Sequence, residues 1–168
     1  LPSIANFLKK EGYLTYAMTS GGYVSSIFGF AKGFDWYDEP LDKSKDPLGQ
    51  YEAERLYTHT SEWLRENKDK PFFLFLHTYQ THGPYYCPSP WNELFLEEKA
   101  QWNRMDLTQF FASKGTNYKF SPEEIANVVS LYDGEIRYTD EMLIKPLVTL
   151  LKDMNIYDNT LIIITSDH

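Results

Sequence analysis

Thr160-Leu161-Ile162-Ile163-Ile164-Thr165-Ser166-Asp167-His168 is the stretch on which the fold turns. It follows the turn-like Asp158-Asn159 and opens with an unbroken run of apolar and β-branched residues, too short for a helix. Such a run reads as a strand buried on both faces, the kind found inside a parallel, helix-covered sheet. Where the run stops, a carboxylate stands beside an imidazole, at the strand end where open α/β sheets collect their ligands. Asp167 and His168 suit a divalent metal ion by ligand type. The same pair also describes a strand running into a turn, with Asp capping the next element.

Working outward, Phe72-Phe73-Leu74-Phe75-Leu76-His77 is a second continuous apolar run, opened by Pro71 at the position a strand tolerates, and reads as a central strand. Between the two runs lies the clearest local signal in the chain. In Ser121-Pro122-Glu123-Glu124, Ser is an N-cap, Pro takes the first helical position and Glu completes a capping box. The helix it starts has Ile125, Val128, Val129, Tyr132, Ile136 and Leu143 at apolar spacing, with Glu135, Arg137 and Asp140 on a wetter face. Pro146 predicts a kink or break before Leu147 to Met154. A crossover through helix 121–154 makes strands 72–77 and 160–166 parallel, so that His77, His82, Asp167 and His168 converge on one sheet edge. Such a constellation can hold a metal and a charged ester.

The remaining chain supports the same architecture. Residues 2–11 carry Ile4, Phe7 and Leu8 at helical spacing and end at Gly12. Tyr13 to Thr19 alternates as a strand and closes on Ser20-Gly21-Gly22, either a plain turn or a place where backbone comes close to a ligand. Phe28 to Asp42 reads as an aromatic-pinned loop and residues 51–67 as a helix. Thr78 to Pro88 is a Gly-, Pro- and Tyr-rich loop carrying His82, and 89–120 is an excursion over the strand ends with short helical hints at 94–99 and 107–112. The fold class is therefore α/β, a mostly parallel central sheet flanked by helices.

Composition narrows the function. The 168 residues are 42% hydrophobic, enough for one domain with a real core. Sixteen basic residues against 24 acidic ones give a net charge of −8, which repels phosphate backbones and excludes nucleic acid as a partner. No apolar run approaches the roughly 20 residues that cross a bilayer, so no membrane segment is expected. The single cysteine, Cys87, cannot form an internal disulfide. Aromatic residues make up 17% of the chain and serve as core or as platforms for sugar rings.

Four stretches, in this order, resemble the sulfatases of the alkaline phosphatase superfamily. They are Ile4 to Ser20, Gly29-Phe30-Ala31-Lys32-Gly33-Phe34-Asp35, Pro71 to Tyr85, and Tyr132 to His168. The resemblance implies an alkaline-phosphatase-like domain and metal-dependent cleavage of a small sulfated substrate, such as a carbohydrate sulfate. It implies that Asp167 and His168 ligate a divalent cation, Ca²⁺ or Mg²⁺, and that His82 contacts the sulfate and helps the leaving oxygen depart. An imidazole near its free pKa suits that task. For His77 it implies no catalytic role, and a supporting or substrate-side position is expected.

The departures are informative. The family nucleophile is a Cys or Ser oxidised to formylglycine, with Pro two and Arg four residues later. Cys87 is followed by Pro88, Ser89, Pro90 and Trp91, so it reads as a loop residue. Also missing are the paired Asp residues of the family's first strand and its Lys-x-His element near Ser20-Gly21-Gly22. The expectation is an incomplete, interior part of one sulfatase catalytic domain, with the formylglycine segment upstream and a C-terminal remainder beyond. The alternatives are a phosphoryl-transfer member of the superfamily (a phosphonate or phosphodiester hydrolase, or a phosphoglycerol transferase) or a non-catalytic anion-binding relative. The resemblance allows a secreted or periplasmic full-length protein and leaves the compartment open.

Overall fold

The computed structural model describes residues 2–39 and 49–166. Helix α1 (Ile4–Lys10) starts at a reciprocal box between Ser3 and Asn6 and leads into strand β1 (Leu14–Thr19). Strand β2 (Trp36–Asp38), helix α2 (Glu52–Asn67) and strand β3 (Phe72–His77) follow. Beyond them come helices α3 (Leu107–Lys114), α4 (Pro122–Thr139) and α5 (Lys145–Asp153). The sheet has the order β2-β1-β3, and both pairings are parallel. Among the described residues no helix is long and apolar enough to cross a membrane.

Strand alternation sorts the two faces of the sheet. Tyr16, Met18, Leu74 and Leu76 face α2 and the segment after α4, in one core with Ala53, Leu56, Tyr138 and Leu143. Tyr16 stacks on Trp63 of α2 at 4.8 Å. Leu64 continues the core to Leu150 and Leu151 of α5. On the opposite face Phe34 lies against Phe73 and Phe75. Asp35 accepts from the Thr15 backbone N–H and hydroxyl, each at 3.0 Å, which fastens the approach to β2. The Lys9 ammonium, 2.5 Å away, holds the Asp35 carboxyl below the usual range.

Several expectations are corrected. The 28–42 stretch, read as a loop, contains β2, and its residues from Pro40 on lie outside the described ones. Among the described residues the central strand of the sheet is β1, and β3, read as central, lies at its edge. Residues 160–166 form no strand, and Leu161, Ile163 and Ile164 are exposed. An apolar run states a demand for neighbours on both faces and both edges, and the described residues do not supply them.

The capping box at Ser121 and Glu124 forms as expected. Pro146 also acts as expected: a π-helical turn (Asp140–Ile144) separates α4 from α5. A widened turn gives room to a residue that lacks an N–H and crowds the preceding carbonyl. The orientation of α4, however, is opposite to the apolar pattern. Ile125, Val129, Tyr132 and Ile136 are exposed, and the inward face carries Glu124, Asn127, Leu131, Gly134, Glu135 and Tyr138.

Candidate active site

The parallel sheet delivers three strand ends to one edge. Thr19-Ser20-Gly21-Gly22, Asp38-Glu39 and His77-Thr78-Tyr79 all leave the sheet there. The Ser20 hydroxyl donates to the His77 carbonyl at 3.2 Å, tying the first exit to the third. The close approach made by the glycines is to Tyr79. Gly22 has φ +60°, and a Cβ on it would lie 2.8 Å from the Tyr79 ring. The Tyr79 phenol oxygen accepts from the Tyr23 N–H at 3.1 Å.

Tyr79 is also what brings the two histidines together. Its ring meets His77 edge-on at 4.7 Å and His82 edge-on at 5.7 Å. The His82 N–H donates to the Tyr79 carbonyl at 2.8 Å, closing a turn that lifts His82 into an exposed position. His82 Nδ1 lies 2.5 Å from the Gly83 carbonyl. A carbonyl only accepts, so it is a proton on Nδ1 that this contact satisfies, and Nε2 is the ring nitrogen without that partner.

Two buried carboxylates hold this loop. Glu52, in the first turn of α2, accepts from the Thr78 hydroxyl and the Tyr79 N–H, both at 2.5 Å. Glu135, on α4 and wholly buried, accepts from the Tyr86 N–H at 2.6 Å and the Cys87 N–H at 2.7 Å. Gln80 spans them: its Oε1 caps α2 by accepting from the Glu52 and Ala53 N–H groups, and its Nε2 donates to Glu135 at 2.8 Å. Burial pushes the Glu135 carboxyl above its usual range, against the pull of these hydrogen bonds. Gly134 is required beside it, because a Cβ there would stand 2.5 Å from the Trp91 carbonyl oxygen.

Cys87 is buried, and its thiol is pushed up to about 12 by that burial and by the Glu135 carboxylate. Such a thiol is a poor nucleophile, in keeping with its reading as a loop residue. Asp167 and His168 lie outside the described residues, so their convergence with His77 and His82 is not described. Among the described residues no group of three or more His, Cys, Asp and Glu could hold a metal ion.

A family model of the sulfatases matches residues 1–168. The chain belongs to the sulfatase family. The sulfatase fold is shared with two crystal structures. One is the lipoteichoic acid synthase LtaP from Listeria monocytogenes, at 19% identity and TM-score 0.57, with 94% of this chain and 34% of that one covered. The other is the C-terminal periplasmic domain of EcEptC from Escherichia coli in complex with Zn, at 17% identity and TM-score 0.55, with 91% and 38% covered. This sulfatase-family chain thus spans little more than a third of either structure. No curated protein matches it.

Sequence reasoning names His77 and His82 but not the residues that hold their loop. Tyr79 stood unremarked in an aromatic-rich loop, and Glu135 was assigned to solvent. The only sequence signal for Glu135 is its neighbour Gly134, an interior helical glycine, which costs about 1 kcal/mol relative to Ala unless something must pass close by.

Proposed function

We propose that this chain is the interior part of a sulfatase catalytic domain that cleaves sulfate monoesters of small alcohols, carbohydrate sulfates among them. His82, in its doubly protonated form with the Nδ1 proton on the Gly83 carbonyl, gives the leaving oxygen its Nε2 proton, and His77 lies on the substrate side of the same edge. Asp167 and His168 take a divalent cation, Ca²⁺ or Mg²⁺, whose charge would offset that of the ester oxygens. The nucleophile, a formylglycine, comes from a segment outside residues 1–168. What supports this reading is the family match over the whole chain, with an exposed His82 on a loop anchored by buried carboxylates at the carboxyl edge of a parallel sheet.

The likeness to a lipoteichoic acid synthase favours a second reading, phosphoryl transfer on the same edge. The full-length protein decides between them when assayed with 4-nitrophenyl sulfate, an alkyl sulfate and bis(4-nitrophenyl) phosphate. The sulfatase reading expects turnover of the sulfates. It also expects His82→Ala to lower kcat by about 10²–10⁴-fold on the alkyl sulfate, and far less on 4-nitrophenyl sulfate, whose leaving oxygen needs no proton. Turnover of the phosphodiester alone would replace the reading with the second one.

A further inference from the structure

We propose that Glu135 is a positioning residue for His82, acting through a hydrogen-bond relay that needs one carboxylate and one amide across positions 80 and 135. The proposal rests on the sulfatase reading for the role of His82, but the relay is argued from its own atoms.

The relay begins at the α2 N-terminus, where the Glu52 and Ala53 N–H groups can only donate. Gln80 must therefore present its carbonyl oxygen to them, and its NH₂ is left pointing at residue 135. On the other side of 135, the Tyr86 and Cys87 N–H groups also only donate. Residue 135 is thus surrounded by donors on both sides and must accept with both oxygens. A glutamine at 135 satisfies one side and sets NH₂ against NH₂, or NH₂ against two backbone N–H groups, on the other. Flipping Gln80 merely moves the clash to the helix N-terminus. The loop from Thr78 to Cys87 hangs between these anchors, with His82 at its exposed apex. The relay therefore controls where the imidazole sits without touching it.

The same logic specifies a rescue. Exchanging the two residues, Gln80→Glu with Glu135→Gln, keeps every donor facing an acceptor. Glu at 80 accepts from α2 and from the new amide, whose oxygen takes Tyr86 and Cys87. Only the direction of the central hydrogen bond reverses.

The experiment uses the full-length protein with E135Q, H82A and the Q80E/E135Q exchange. It reads kcat and KM on the alkyl sulfate and 4-nitrophenyl sulfate, together with the His82 ring signals in ¹H–¹³C NMR, identified by their loss in H82A. E135Q is expected to lower kcat on the alkyl sulfate by about 10–100-fold, the scale of a small misplacement of a reacting group, and to move the His82 signals. It should spare 4-nitrophenyl sulfate as H82A does, a leaving-group dependence that general destabilisation would not produce. The exchange is expected to restore kcat to within about threefold and to return the His82 signals, as the residual cost of a reoriented network. Wild-type behaviour of E135Q overturns the proposal. So does an exchange variant that stays impaired, or that fails to fold. If E135Q itself does not fold, the exchange variant alone decides. If the wild-type protein cleaves no sulfate ester, the functional reading falls, while the His82 signals still test the relay.

Discussion

The two faces of α4 invert the usual expectation for a helix. The outward face carries Ile125, Val129, Tyr132 and Ile136, and the inward face sets Glu124, Asn127, Gly134 and Glu135 beside Leu131 and Tyr138. Hydrophobic burial alone would turn the helix the other way. What the inward face meets, however, is the irregular backbone of residues 85–120, whose polar groups must be paired once covered. Asn127 accepts from the Gln101 and Trp102 N–H groups at 2.8 and 2.9 Å and donates to the Trp102 carbonyl at 2.9 Å. Glu124 accepts from the Tyr118 hydroxyl at 2.7 Å. Glu135 does the same for the loop that carries His82. A helix face can be specified by the hydrogen-bond demand of its neighbours as well as by its own apolarity.

The comparison breaks most readily at Glu135. Glu135→Leu leaves three donors without acceptors in a closed space and is expected to cost about 3–5 kcal/mol in urea unfolding, the scale of a buried polar network missing one partner. The pH dependence sharpens this. Burial holds the Glu135 carboxyl above its ordinary value, so the wild type's advantage over the variant is largest below that value. It shrinks as pH rises through the raised one, where the buried group must ionise.

Asn127→Ala removes three hydrogen bonds from a less enclosed part of the same face. An intermediate loss is expected, about 1–3 kcal/mol by urea midpoint, with residues 101–102 becoming more open to protease. On the outward face, Ile125→Ser and Ile136→Ser should each change stability by no more than about 0.5 kcal/mol, as ordinary surface substitutions do. A loss of about 2 kcal/mol in the full-length protein would show that this face is covered there, and the contrast between the faces would then belong to this stretch alone.

The sequence was most legible where the deciding energy is local. The box at Ser121 and Glu124 and the disruption ahead of Pro146 depend on atoms within one helical turn, and both formed as read. Strands 14–19 and 72–77 were legible as strands, but the parallel partner read for 72–77 was 160–166, and in the structure it is β1. That pairing carries Ser20, His77 and the His82 loop to one edge. β2 was missed because three residues between an aromatic-rich loop and a proline carry too little pattern to register as a strand. Tyr79 was missed because its partners, Gly22, Tyr23 and His77, reach it only through the folded edge.

The amino-acid sequence by itself determined the main helices, the cap at Ser121, strands 14–19 and 72–77, the acidic balance and the family to which the chain belongs. Tertiary structure alone decided which face of α4 is buried, that Glu52, Gln80 and Glu135 fasten the His82 loop, and that 160–166 lies unpaired among the described residues. The division is physical. Periodicity and capping are written in residues three or four apart, whereas the direction in which a polar helix face must turn depends on donors that the chain presents from dozens of residues away.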